Sequence, residues 1–161
     1  MTLIFSIEQA IMCGESNVTL ISPFVGRIYD WYKKNYPNIP EDIGVENVKE
    51  IYNIYKKNNY KTIIMGASFR NIDQIKQLAG IDKLTISPKL IEELQVDSDT
   101  DFGMNLSSTT DVYSLRKVNK DEMTLEWFNN KISKNKMASE KLEEGINKFI
   151  EDTKTVKSYI T

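Results

Sequence analysis

The sequence predicts an α/β chain whose strands run parallel. Four short runs rich in β-branched and apolar residues, at positions 2–5, 18–21, 62–65 and 84–86, are continuous rather than alternating, as strands buried on both faces are. Each is followed by a segment of helical periodicity, which makes repeated β-α units. Each also ends in or near a serine (Ser6, Ser22, Ser68, Ser87), whose hydroxyl can cap the next helix or face a ligand at the carboxyl end of its strand.

The elements follow in order. Cys13, in Ile11-Met12-Cys13-Gly14, falls on the apolar face of a first helix, where a thiol is expected to be buried and inert. After the second run, residues 27–36 mix aromatics and lysines as an amphipathic helix does, with Tyr29, Trp31 and Tyr32 expected to pack it onto the sheet. Pro37, Pro40 and Gly44 break it. Val45, Val48, Ile51, Tyr52 and Tyr55 then keep the spacing of one buried face, opposite Glu46, Lys49, Glu50, Lys56 and Lys57. Residues 71–80 repeat the pattern with Ile72, Ile75 and Leu78, and Gly80 suits a terminator. Pro23 and Pro88 stand after serines as helix-starting prolines do. Residues 89–95 make a short helix. The Ser-, Thr-, Asp- and Asn-rich stretch 97–119 reads as a loop or linker, and 120–161 as a helical extension. In that extension Met137, Leu142, Ile146, Phe149, Ile150, Thr153 and Val156 mark a long helix laid back across the sheet. Four parallel strands fit a small open sheet or half of a (β/α)8 barrel, whose whole needs about 250 residues.

Composition narrows the chemistry. The 161 residues carry 40% hydrophobic side chains, enough for one core, and 21 Lys+Arg against 23 Asp+Glu leave a net charge of −2, no field for a polyanion. Nucleic acid is not an expected partner. With no histidine and one cysteine, the chain lacks an imidazole base, a Cys/His zinc cage and an internal disulfide. Catalysis would have to use Lys, Asp, Glu, Tyr, Ser or Thr. No apolar run reaches a membrane span and the start has no cationic leader, so a cytoplasmic, reducing location is expected, with no membrane partner.

Arg27 and Arg70 lie just beyond two strand ends, on one face of the sheet. Two guanidinium forks, with the backbone N–H groups that Gly26 and Gly66 leave approachable, suit a phosphorylated small molecule. Pairing with surface carboxylates is the alternative. Ser22 and Ser68 are likewise ligands or caps, and Thr2 an interior hydroxyl or an ordinary strand residue. Lys89 is the lysine nearest a strand end, though a helix start favours solvation.

The strings Thr2-Leu3-Ile4-Phe5-Ser6, Ser22-Pro23-Phe24-Val25-Gly26-Arg27, Gly66-Ala67-Ser68-Phe69-Arg70-Asn71 and Ile86-Ser87-Pro88-Lys89 closely resemble the transaldolase family. Trp127, Met137-Ala138 and Glu140-Lys141-Leu142 resemble its terminal helical extension. The resemblance implies the carboxyl-terminal half of a (β/α)8 barrel, strands five to eight plus the terminal helix. It implies transfer of a dihydroxyacetone unit between sugar phosphates in the pentose phosphate pathway, through a lysine Schiff base and without metal or other cofactor. By resemblance Arg27, Ser68 and Arg70 hold the substrate phosphate, while Thr2, Ser22 and Phe24 line the sugar-binding interior. The family's lysine, aspartate and glutamate belong to strands one to four and have no counterpart here, so no catalytic residue is expected. Met1 is then an internal methionine of a truncated transaldolase, inactive alone; a non-catalytic half-barrel that binds sugar phosphates or a partner is the alternative. Exposed sheet edges make self-association, or pairing with the missing half, an expectation.

Overall fold

The computed structural model describes residues 1–97, 103, 105, 106 and 120–160. Its strands β1 (Leu20–Ile21), β2 (Ile63–Gly66) and β3 (Lys83–Leu84) are all parallel and lie in the order β1-β2-β3. The register pairs Leu20 with Ile63 and Ile21 with Ile64, then Met65 with Lys83 and Gly66 with Leu84. Single parallel bridges, Ile4 to Pro23 and Phe24 to Ala67, extend the pairing on either side of β1. Each strand therefore neighbours the one before it in the chain, an order compatible with part of a barrel wall and without the switch point of a doubly wound sheet.

The helices follow from caps and periodicity. Ser6 caps α1 (Ile7–Glu15) in a reciprocal box, its Oγ accepting from Gln9 N while Gln9 Oε1 accepts from Ser6 N. α2 (Val25–Asn35) follows β1 without a side-chain cap. Asp42 caps α3 (Ile43–Lys57), Asn71 caps α4 (Ile72–Gln77), and Ser87 with Pro88 at the first turn opens α5 (Pro88–Val96). Thr124 and Asn135 cap α6 (Leu125–Lys134) and α7 (Lys136–Ser158).

One core lies between the sheet and α1, α3, α4 and α5, around Ile21, Ile64, Val48, Ile51, Ile54, Tyr55 and Leu78. A second joins Leu3 and Phe5 to Ile28 and Trp31 of α2 and to Met137 and Ala138 of α7. Trp31 also donates from Nε1 to Glu140 Oε2 at 2.7 Å. The tryptophan thus fastens α2 to α7 rather than to the sheet, and Tyr32 packs edge-on against it.

Several expectations are corrected. Residues 2–5 form no strand beyond the Ile4 bridge, because Leu3 adopts a left-handed φ of 57° that interrupts the extension. Pro23 is a bridge residue rather than a helix start, and the residue before α2 is Phe24, so Ser22 caps nothing. α4 stops at Gln77, three residues before Gly80. Gly80 (φ 102°) instead admits the carbonyl of Leu106, 2.1 Å from where a Cβ would stand. The stretch 97–119 lies mostly outside the described residues; within it Leu106 is buried and donates to Ala79 O at 2.8 Å, and Asp97 pairs with Lys76 at 2.6 Å. Only the first part of α7 packs on the body, through Met137, Ala138 and Gly145; Ile146, Phe149, Ile150 and Val156 are exposed. No helix among the described residues is long and apolar enough to cross a membrane.

Candidate functional site

Two loops leave the carboxyl ends of β1 and β2 and are stitched together by backbone. Ala67 N donates to Pro23 O and Val25 N to Ala67 O, both at 3.0 Å. The contact is closest at Gly26, where a Cβ would come within 1.9 Å of Ser68 O and 3.0 Å of the Arg70 side chain. A residue without a side chain is what permits α2 to start against the second loop.

Ser68 itself has a left-handed φ of 67°, rare for a non-glycine residue. That conformation turns its carbonyl and hydroxyl toward Arg70, whose Nη1 donates to Ser68 O at 3.1 Å and to Ser68 Oγ at 3.4 Å. The other edge of the guanidinium grips Asp30 of α2: Nε donates to both carboxylate oxygens at 3.0 and 3.1 Å, and Nη2 to Oδ2 at 2.6 Å. Beneath it, Arg70 N donates to Gln74 Oε1 at 2.8 Å, and buried Gln74 donates in turn to Asp42 Oδ2 at 2.7 Å, tying the loop to the start of α3.

Arg27 stands one residue beyond Gly26, half-buried, with its Cζ 4.8 Å over the Phe24 ring. Phe24 is itself held edge-on by Phe5 at 5.8 Å, and its N donates to Ile4 O at 3.1 Å. The charge of Arg27 reaches α7 and adds to the lowering of the Glu144 carboxyl pKa, which comes first from the hydrogen bond with Lys141. Ser22 is buried, its N donating to Met1 O at 2.9 Å. Thr2 is exposed at the chain's first residues.

The structure thus brings Ser68 and Arg70 together, and Phe24 with Arg27, on adjoining loops. It leaves Thr2 outside that cluster. Of the four strand-end serines, Ser6 and Ser87 are caps, while Ser22 and Ser68 cap no helix. Asp30 and Gln74 escaped the reading of the sequence. Asp30 lies one turn from Arg27 and reads as its helix partner, whereas the fold gives it to an arginine forty residues away. Lys89 is exposed with Glu93 at 3.8 Å, a solvated helix start. Cys13 is half-buried, and burial raises its thiol pKa, which suits an unreactive side chain.

The family model described as transaldolase/fructose-6-phosphate aldolase matches residues 1–160. Human transaldolase is 48% identical over 166 aligned residues, covering all of this chain and 48% of that protein. Transaldolase of Prochlorococcus marinus is 50% identical over 92% of this chain and 44% of its own length. A probable transaldolase of Drosophila melanogaster is 46% identical over 99% of this chain. The chain spans about half the length of the curated relatives it matches. A family match over nearly every residue, joined to parallel strands in chain order and to the two stitched loops, shows that this chain belongs to the transaldolase/fructose-6-phosphate aldolase family.

Proposed function

We propose that these 161 residues form the carboxyl half of a (β/α)8 barrel and supply the sugar-phosphate end of a transaldolase. Arg27, Ser68 and Arg70 hold the phosphate, and Ser22, Phe24 and Thr2 line the path of the sugar. The observation that carries the reading is Ser68. A left-handed serine stores roughly 1–3 kcal/mol of backbone strain, and such strain gathers where a ligand must be met. Here it aims a hydroxyl and a carbonyl at a guanidinium that Asp30 already holds from the other edge. An arriving phosphate meets an oriented Arg70, exchanges with Asp30 or adds at Nη1, and takes a second fork from Arg27. Transfer of dihydroxyacetone in the pentose phosphate pathway, a cytoplasmic route, needs a lysine amine beside the ketone to form the Schiff base. No counterpart of the family's lysine stands among these residues, so they bind the sugar phosphate without transferring its dihydroxyacetone.

Two measurements test this. Near-saturating inorganic phosphate or fructose 6-phosphate, at about 100 times Kd, should stabilise the fold by about 2.7 kcal/mol. For a chain of this size that is a rise in thermal midpoint of roughly 5–10 °C. Arg27→Ala and Arg70→Ala should each abolish the rise; equal rises in all three proteins would place the anion elsewhere. The second measurement is intact mass after borohydride reduction with fructose 6-phosphate. An unmodified chain is expected, and a stoichiometric adduct on any lysine, Lys89 included, would overturn the inactive reading.

A further inference from the structure

We propose that the cleft between the end of α2 and the α6–α7 junction binds a nucleoside polyphosphate, with the base against Tyr36 and Tyr32 and the phosphates among Lys131, Lys134 and Lys136. The cleft holds about 570 Å³, within the range of small-molecule sites. It lies toward the other end of α2 from Arg27. Part of its lining is aromatic. Tyr32 and Tyr36, one helical turn apart, have ring centroids 6.0 Å apart and planes inclined by 34°, and Trp31 packs against them at 5.1 and 5.9 Å. Trp31 belongs to the core, 7% exposed with its Nε1 on Glu140, whereas Tyr36 is 53% exposed and Tyr32 half-buried. Two tyrosine rings held on a buried tryptophan, with the outer one open to solvent, make a platform on which a base can stack. Ile39 and Met137 complete the apolar part of the lining.

The rest of the lining is cationic. Lys131 and Lys134 of α6 and Lys136 of α7 stand around the cleft with one carboxylate, Glu8. Among the described residues Lys131 and Lys134 pair with no carboxylate, and Lys136 comes only within 3.8 Å of Glu140 with its side chain 75% exposed. Cations gathered this way repel one another, and a diphosphate or triphosphate, with charges on adjacent groups, relieves that repulsion. Asn135 gives its Oδ1 to Ala138 N, which leaves its Nδ2 as a donor for a ring nitrogen or a ribose oxygen. The two kinds of lining select the occupant together. A sugar phosphate has no ring for the tyrosines, and a nucleoside has no charge for the lysines. A nucleic acid strand would need a cationic track beyond the cleft, and the chain as a whole carries a net charge of −2.

Isothermal titration of the whole chain with ADP, up to about 2 mM, tests the site, because an open cleft with one stacked base gives micromolar to millimolar affinity. One ADP per chain is expected, with pyrophosphate and adenosine each binding at least about fivefold more weakly. Tyr36 is exposed, so its replacement leaves the fold intact by circular dichroism. Tyr36→Ala should weaken ADP at least about fivefold and Tyr36→Phe should not, because the ring rather than the hydroxyl holds the base. Lys131→Ala combined with Lys134→Ala should also weaken ADP, and added salt should cost the wild type more affinity than it costs that variant. Arg70→Ala should keep its ADP affinity, which separates this cleft from the loops proposed for the sugar phosphate. No binding in that range, pyrophosphate as tight as ADP, undiminished affinity in Tyr36→Ala or in the double lysine variant, or loss of ADP binding in Arg70→Ala would overturn the proposal; the response to fructose 6-phosphate is read separately and does not depend on it.

Discussion

Gly26→Ala is expected to cost about 3 kcal/mol, the upper end of ordinary overpacking, and to remove the phosphate response altogether. The added methyl would stand 1.9 Å from the Ser68 carbonyl, a backbone atom that cannot swing aside as a side chain can. Either α2 lifts from the second loop or Ser68 leaves its left-handed conformation, and in both cases Arg70 loses the carbonyl and hydroxyl that orient it. Gly66→Ala is the comparison. There the new Cβ meets the ends of Leu84 and Phe69 at 3.2 Å, movable groups, and a cost of about 1 kcal/mol is expected. Urea denaturation measures both costs, and the thermal midpoint with and without phosphate measures the site. Similar losses at the two glycines, or a Gly26→Ala protein that keeps its phosphate response, would show that the two loops are not locked together at this point.

Tyr55→Ala should be about as damaging, at about 3–5 kcal/mol, because it empties the centre of the larger core. Tyr55→Phe isolates the hydroxyl. It removes a 2.6 Å hydrogen bond to Ala10 O, a carbonyl inside α1, for about 0.5–1.5 kcal/mol. The same hydroxyl sets an alkaline limit. Burial first, then Cys13 and Tyr60 nearby, pushes its pKa far above the ordinary tyrosine value. Tyr60 is raised as well, by burial and then by its hydrogen bond to Glu15 and that residue's charge. Below about pH 10 the folded and unfolded chains both keep these protons, so stability does not depend on them. Above it the unfolded chain releases them while the folded chain holds them, and stability falls as pH rises toward the folded values. Tyr55→Phe should therefore be less stable than wild type at pH 7 yet lose less between pH 9 and about 11. Tyr55→Phe with Tyr60→Phe should flatten the decline further. Parallel alkaline declines in all three proteins would assign the limit to other groups, the Cys13 thiol among them.

Much of the scaffold was legible because it is encoded locally. The continuous apolar runs at 18–21 and 62–65 announce buried parallel strands, and β1 and β2 fall within a residue of them. Ser6 with Gln9, and Ser87 with Pro88, carry their own helix starts. The apolar spacing from Val45 to Tyr55 is the buried face of α3. Where the reading failed, a partner distant in sequence decided. Residues 2–5 have strand composition, but a parallel strand is held only by its neighbours, and here one bridge at Ile4 remains. The apolar positions of α7 are spaced alike along the helix, yet Leu3 and α2 reach only the first of them.

The site divides along the same line. The strings around Arg27 and Arg70 placed two cations, two serines and two glycines at strand ends, because strand length and turn chemistry are properties of neighbours in the chain. Which serine caps a helix and which is left to the loops, and that Asp30 belongs to Arg70 rather than to Arg27, depended on how closely two loops approach. That approach is set by the parallel pairing of Phe24 with Ala67 and by the missing side chain at Gly26. By itself the sequence determined the family, the parallel α/β class and the kinds of residue at the site. The tertiary structure alone decided their partners, since hydrogen bonds and ion pairs act over about 3 Å of space however many residues lie between them.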